Sequence, residues 1–315
     1  MVLMKSSLAF RSDGTFTIVQ FTDIHWQDGG PKDQQSRQLM ASVLDSEKPD
    51  LVVYTGDIIY TGRTSLGEPV CEFPGRAFLE AVESAEARGI PWSFVFGNHD
   101  TELGITRGEL MDVALSQDHC TVPAEAEERY GVGNYRLQIA ATDGTPAAVL
   151  YFFDSGNLSR VPGVKGYDWI HPDQIGWYIS QSAEVNRSLT AAKLPALAFF
   201  HIPLPEYKEV WAGGNCRGHQ FEEICCAQVN GGLFAALLET GDVMGTFAGH
   251  DHVNDYWGEL HGIRLCYGRA TGYNTYGREG FQRGARVIRL WQGVRDFETW
   301  LRLADGSRVI QAATQ

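Results

Sequence analysis

The sequence predicts an α/β fold: two mixed β-sheets packed face to face with helices outside, a four-layer α/β/β/α sandwich. Three observations carry this. Short runs rich in Val, Ile and Phe, bounded by Gly or Pro, recur along the chain and read as buried strands. Amphipathic segments of helical length separate the first of them, giving a β-α-β-α-β order that implies right-handed crossovers and a parallel sheet. Further strands fill the second half, the last of them joined by tight turns such as Ala304-Asp305-Gly306. The whole chain, 1–315, reads as a single domain, with strands at about 284–310 completing the second sheet.

In chain order, "FTIVQFTDIH" is the first strand, and it ends at Asp23 and His25. A helix over 33–47 follows, with Leu39, Met40, Val43 and Leu44 on one face. "PDLVVYTGDIIY" is a strand ending at Asp57. The segment 75–89 is a helix with Phe78, Leu79 and Val82 inward and Gly89 as its stop. "IPWSFVFGNHD" is a strand ending at Asn98, His99 and Asp100. Strands near 133–141 and 147–153 precede a helix over 171–188, which Pro172 and Asp173 open. "LPALAFFHIP" is a strand ending at His201. The segment 221–241 reads as one helix, or two broken at Gly231-Gly232, with Cys225-Cys226 as small apolar helix residues. "VMGTFAGHDH" ends at His250 and His252, and strands near 255–260 and 263–267 lead into the tail.

The chain of 315 residues is 43% hydrophobic, enough for one large core or two modest ones. Its net charge of -13 makes it a poor electrostatic match for nucleic acid or an anionic membrane. No stretch approaches the ~20 apolar residues of a membrane span. The N-terminus reaches an Asp13-Gly14 turn too soon for a secretory leader, so the sequence as read is cytoplasmic, or secreted if a leader has been removed ahead of it. None of the six cysteines stands in C-x-x-C, and reduced, structural thiols are expected. The Asn-x-Ser triplets at Asn157 and Asn186 matter only in a secreted eukaryotic setting. Nothing in the sequence fixes the oligomeric state.

Five polar clusters sit at the carboxyl ends of strands, where open α/β sheets collect ligands. Together they offer Asp23, His25, Asp57, Asn98, His201, His250 and His252. Two-residue spacing on an extended end aims His250 and His252 to one side and Asp251 to the other, and Asp23 and His25 share that spacing. Carboxylates, an amide oxygen and imidazoles without thiolate suit Mn, Fe, Zn, Co or Ni. Seven ligands exceed the needs of one catalytic ion; with one carboxylate shared they suit two ions ~3.5–4 Å apart.

The ordered set Asp23-Ile24-His25, Gly56-Asp57, Gly97-Asn98-His99-Asp100, His201 and Gly249-His250-Asp251-His252 resembles the calcineurin-like metallophosphoesterase superfamily. "FFHIPLPEY" and "GHDHVNDY" are most like the branch of Dcr2-type phosphatases and small purple-acid-phosphatase-like proteins. The resemblance implies one metal on Asp23, His25 and His252, a second on Asn98, His201 and His250, and Asp57 bridging them. The metals would be divalent or trivalent, with Fe, Mn or Zn expected. It also implies hydrolysis of small phosphorylated substrates, most often phosphomonoesters, by in-line attack of a metal-bridging hydroxide. Small diesters such as cyclic nucleotides are the alternative, and a non-catalytic scaffold is a third reading. His99 would sit near the departing oxygen, with Asp100 holding its ring.

Tyr60 stands where many members carry a second aspartate. In purple acid phosphatases a tyrosine in this position binds ferric iron, but there the first motif lacks its histidine. Here both His25 and Tyr60 are present, so His25 is expected to be the ligand and Tyr60 to face substrate or support the site, with direct ligation as the other outcome. Asn254 and Asp255 are candidates to support the ligands. Arg269, Tyr273 and Asn274 are candidates to touch phosphate or leaving group from a rim loop, whose bland reading is a flexible surface segment. Trp26 is a substrate wall or simple packing. His119, His171, His219 and His261 read as surface or capping residues, with His219 the best outside candidate for the site mouth. No serine-nucleophile elbow, Walker-A loop or dinucleotide-binding motif occurs.

Overall fold

The computed structural model describes residues 8–124, 129–187 and 192–313. The first seven residues of the N-terminal segment, the end of the 171–188 helix and the serine of the Asn186 triplet lie outside the described residues.

The N-terminal third runs β1 (Thr15–Phe21), α1 (Pro31–Glu47), β2 (Leu51–Thr55), α2 (Pro74–Glu86), β3 (Trp92–Val95) and α3 (Arg107–Leu115). Then come β4 (Tyr135–Ala140), β5 (Pro146–Phe152), α4 (Pro172–Val185), β6 (Ala196–Phe199), α5 (Glu206–Ala212), α6 (Leu233–Thr240) and β7 (Val243–Ala248). The remainder is β8 (Trp257–Leu260), β9 (Ile263–Tyr267), β10 (Gly284–Trp291), β11 (Phe297–Leu303) and β12 (Arg308–Val309). Two six-stranded mixed sheets result, ordered β12-β11-β10-β1-β2-β3 and β4-β5-β6-β7-β9-β8.

The expected crossovers are present: β1, β2 and β3 pair in parallel. The C-terminal strands correct one expectation. They extend this first sheet, not the second, because β10 pairs antiparallel along β1 from Gln20↔Arg286 to Thr15↔Trp291. The sheets meet through one core that joins Val19, Phe21 and Val53 of the first to Leu150, Phe199 and Phe247 of the second. The opposite face of the second sheet, with Tyr151, Ala198 and Leu265, packs against α4, α5 and α6 in a separate cluster. Burying these aliphatic and aromatic side chains stabilises each layer by about 1.5–3 kcal/mol per residue.

Local chemistry sets the helix starts. Asp33 accepts the N–H groups of Gln27, Gly29 and Gly30, ordering the loop that enters α1. Thr106 and Glu109 form a reciprocal capping box at α3.

The helix expected over 221–241 is only its second half, α6. Residues 221–232 are irregular because their backbone donors are committed elsewhere. Asn254 Oδ1 takes the N–H of Phe221 and of Glu222, and the Asp251 carboxylate takes that of Cys225. Cys225 and Cys226 therefore lie in a loop, not a helix. None of the six cysteines forms a disulfide.

At the strand ends the two sheets are tied together. Gln20 Nε2 in β1 donates to Thr55 Oγ1 at 2.8 Å and to the Ala248 carbonyl at 3.0 Å, crossing from one sheet to the other. The site occupies this seam.

Candidate dinuclear metal centre

Asp23, His25, Asp57 and His250 have φ of 53°, 51°, 48° and 79°, the left-handed region that side chains ordinarily avoid. Each follows or interrupts the end of a strand, so the chain turns sharply there and drops the side chain into the seam. The extended-spacing argument for His250 and His252 is thereby corrected: β7 stops at Ala248 and the pair lies in a turn. Such conformations cost of order 1–3 kcal/mol each, and they persist where surrounding structure enforces them. Two glycines supply the clearance. A Cβ on Gly97 would lie 2.1 Å from Asp57 Oδ1, and one on Gly249 would lie 2.0 Å from Thr22 Oγ1.

Two groups of buried ligand atoms result. Asp23, His25, Asp57 and His252 form one, and Asp57, His201 and His250 form the other, with the ligand atoms in each within 4.8 Å of one another. Asn98 joins the second, its Oδ1 being 3.2 Å from His201 Nε2. Asp57 belongs to both. Its Oδ1 accepts the His99 backbone N–H at 2.8 Å, which fixes the carboxylate. Its Oδ2 lies 3.4 Å from His25 Nε2 and 3.2 Å from His201 Nε2.

The imidazoles are oriented from behind. His201 Nδ1 donates to the Thr55 carbonyl at 2.8 Å, leaving Nε2 to face Asp57. His252 Nδ1 meets Thr275 Oγ1, leaving Nε2 3.5 Å from Asp23 Oδ1. His250 Nδ1 lies 3.2 Å from His201 Nε2, and the His250 ring stands edge-on to Tyr167 at 4.4 Å. Asp23 accepts the N–H of His250 and the hydroxyl of Thr22.

The donor set fits metal ions on one direct observation. Asp57 Oδ2, His25 Nε2 and His250 Nε2 are buried polar atoms without a hydrogen-bond partner. Orphaned groups of this kind cost about 1–3 kcal/mol each, and a cation in each of the two groups would satisfy them. The electrostatics agree. Burial acts to raise the Asp57 carboxyl, but the adjoining His201 imidazole, with His25 and His99, holds it well below the usual carboxylate range. Burial opposes charge on His201, yet Asp57 prevails and lifts that ring to about 9. Burial and the nearby His201 drive His250 down to about 3, so it is a neutral donor.

A model of the calcineurin-like phosphoesterase family matches residues 16–254, the span that carries all seven of these residues. The chain belongs to this family. Among curated relatives, probable inactive purple acid phosphatase 29 of Arabidopsis thaliana is 36% identical, covering 96% of this chain and 85% of the relative. Phosphatase DCR2 of Saccharomyces cerevisiae is 34% identical, covering 92% of this chain and 54% of that protein. A dimetal phosphatase from Danio rerio shares the fold, with TM-score 0.59 at 15% identity over 90% of this chain and 98% of that one. The family is dimetal-dependent, in keeping with the paired groups around Asp57.

Several expectations are corrected. Asp100 does not hold the His99 ring: its carboxylate accepts the backbone N–H groups of Asp57, Ile59 and Gly97, and so builds the turn beneath Asp57. Burial and the Asp57 charge raise it to about 6. His99 Nδ1 meets Glu102 instead. Arg269 is not a rim residue. It is buried, paired with Asp255, and its guanidinium carbon lies 3.2 Å from the Phe281 ring centroid. Asp255 also accepts the His219 N–H, so both residues bind structure and not substrate. Asn254 ties down 221–222, as above. Tyr273 and Asn274 dock the rim loop onto α1 through Ser36 and Asp33.

Tyr60 packs 5.6 Å from the His25 ring and 5.1 Å from the His99 ring. A Cβ on Gly62 would lie 2.7 Å from its hydroxyl and 3.1 Å from Glu102 Oε2, so that hydroxyl points toward the Glu102 side. Trp26 is fully buried and bonds Glu80, which makes it packing. His171 opens α4, and His261 turns between β8 and β9. His219 lines a groove of about 770 Å³ with Phe221 and Phe281, whose walls include none of the seven residues. Sequence reasoning missed Thr275, Glu102, Tyr167 and Tyr276; the last places its ring 4.2 Å from that of His252 and donates to Glu222. Thr275, Tyr167 and Tyr276 act through contacts distant in sequence, which local pattern does not mark, whereas Glu102, three residues after His99, was within reach of a local reading.

Proposed function

We propose that this chain hydrolyses phosphate esters at the seam, with small phosphomonoesters as substrates and small diesters as the alternative. The observation that carries the reading is the position of Asp57 Oδ2, orphaned and held between His25 Nε2 and His201 Nε2. Asp23, His25, His252 and Asp57 would hold one ion, and Asn98, His201, His250 and Asp57 the other. A nitrogen- and oxygen-rich set without thiolate favours Fe, Mn or Zn. Bound there, the ions would supply positive charge for the phosphoryl oxygens and acidify a water for attack on phosphorus.

The protein's own residues do the rest. The His99 N–H holds the Asp57 carboxylate, and Asp100 holds the backbone of Asp57 and Gly97 beneath it, so the bridging group is preorganised. The Thr55 carbonyl fixes the tautomer of His201, and the Thr275 hydroxyl orients the His252 ring. His99 is part-exposed beside the first cluster, 5.2 Å from the His25 ring, within reach of an ester bound there. Burial opposes its charge, but Glu102 and Asp57 raise its pKa above the ordinary histidine value, which favours the protonated ring that a departing alkoxide would draw on.

The test is a panel of 4-nitrophenyl phosphate and bis(4-nitrophenyl) phosphate assayed with Mn, Fe and Zn. Metal-dependent cleavage with the monoester preferred is expected, and Asp57→Asn should abolish it. A second reading, a non-catalytic scaffold of the same fold, is favoured by one observation: Arabidopsis relatives carry "probable inactive" in their names. Fewer than one tightly held metal per chain, with no hydrolysis after reconstitution, would establish that reading instead.

A further inference from the structure

The seam contains one carboxylate that the metal groups do not use and that touches the leaving-group histidine. Glu102 lies three residues after His99, and its side chain meets His99 Nδ1. We propose that Glu102 is the positioning residue of His99, fixing the ring with Nδ1 occupied and Nε2 presented to the leaving-group oxygen. The proposal rests on the phosphoesterase reading and adds a residue to it.

The geometry is built, not incidental. Thr61 Oγ1 donates to the His99 carbonyl at 2.9 Å and accepts the Glu102 N–H at 2.7 Å, so one hydroxyl locks both ends of the turn that carries the pair. The Thr61 N–H donates to the same carbonyl at 3.1 Å. Gly62 leaves room for the carboxylate, since a Cβ there would lie 3.1 Å from Glu102 Oε2. Tyr60 closes one side of the His99 ring, edge-on at 5.1 Å. Residues 60–62 thus form a cradle whose three members each constrain the pair. The only other acid of this motif, Asp100, is fully engaged with three backbone donors and cannot serve.

The chemistry follows. An imidazole with Nδ1–H bonded to carboxylate carries its second proton on Nε2 when charged, and passes it to oxygen as the P–O bond breaks. Electrons of that bond leave with the oxygen, the proton neutralises it, and His99 becomes neutral. Without Glu102 the ring rotates and its tautomer is no longer set, so the benefit falls most on esters whose leaving group most needs a proton.

The experiment compares wild type, Glu102→Gln, Glu102→Asp, His99→Ala and the double variant His99→Ala/Glu102→Gln on aryl and alkyl phosphates of graded leaving-group basicity. The metal-reconstituted protein is used throughout. Glu102→Gln should lose about 10-fold or more with phenyl or alkyl phosphate and less with 2,4-dinitrophenyl phosphate. Glu102→Asp should recover part of the loss, and the double variant should be no worse than His99→Ala. Equal loss on all leaving groups, or additive losses, would overturn the proposal. Independently of turnover, nitrogen NMR of labelled histidine, followed up in pH until the His99 ring is neutral, should show its remaining proton on Nδ1 in the wild type and a mixture of tautomers in Glu102→Gln; an unchanged His99 signal would also overturn it. A wild type that hydrolyses no ester while showing the tautomer change would refute the phosphoesterase reading and leave the His99–Glu102 assignment standing.

Discussion

Asp23 accepts the backbone N–H of His250 at 3.1 Å across 227 positions of sequence. One residue follows a strand of the first sheet and the other follows a strand of the second. Two residues from the two different candidate ligand groups therefore also hold each other, and the seam is a structural joint as well as a candidate site. Changes there should move stability and metal binding together.

Gly97→Ala places a methyl group against Asp57 Oδ1, where 2.1 Å separates them before any shift. Overpacking of this kind costs about 1–3 kcal/mol. The variant should unfold at lower urea concentration and bind metal more weakly, and unchanged behaviour in both would mean the turn is slack.

Thr275→Val removes the oxygen that faces His252 Nδ1. Loss of such an orienting partner typically weakens metal affinity or activity by about 10–100-fold. Competition against a chelator measures it, and the fold should tolerate the change, because Thr275 is half-exposed.

Metal uptake should depend on pH with a defined sign. The folded His201 pKa, about 9, lies above the ordinary value of 6.5. An ion must displace that proton, so apparent affinity should rise by about tenfold per pH unit until about pH 9 and then level off. For metal-free protein, the stability gained from the protonated ring is full below the unfolded pKa and is lost as pH rises through about 9. Chelator competition and urea melts between roughly pH 6 and 9 check both signs. A flat affinity profile would contradict the Asp57–His201 pairing.

Arg269→Ala strips the buried Asp255 carboxylate of its cation, with both side chains almost wholly out of solvent. Breaking a buried pair from one side costs about 3–5 kcal/mol. The melting temperature should fall while KM for a phosphate ester stays near the wild-type value. A raised KM in folded protein would return Arg269 to the substrate-contacting role read from sequence.

Much of the site was legible because its residues share one address. Asp23, Asp57, Asn98, His201 and His250 each follow an apolar strand, and strand ends converge at one rim of an α/β sheet. Polarity there stands out against the strand before it. Glu102 and Thr275 carried no such mark: both lie in loops, Glu102 reaching His99 only because the turn after the motif folds it back, and Thr275 reaching His252 only through packing of a distant segment. Arg269 misled because an arginine in a Gly-rich loop reads as exposed, whereas Asp255 and Phe281 bury it. The segment 221–232 has helix-forming residues, but Asn254 and Asp251 withdraw the N–H groups a helix needs. The strand order of the C-terminal tail depends on pairing with β1 more than 260 positions earlier, which local pattern does not encode.

The central claim is that two ions share Asp57, and anomalous diffraction from crystals grown with Mn²⁺ addresses it directly. Two peaks ~3.5–4 Å apart are expected, one on each side of the Asp57 carboxylate. A single peak, or two peaks of which neither touches Asp57, would contradict it.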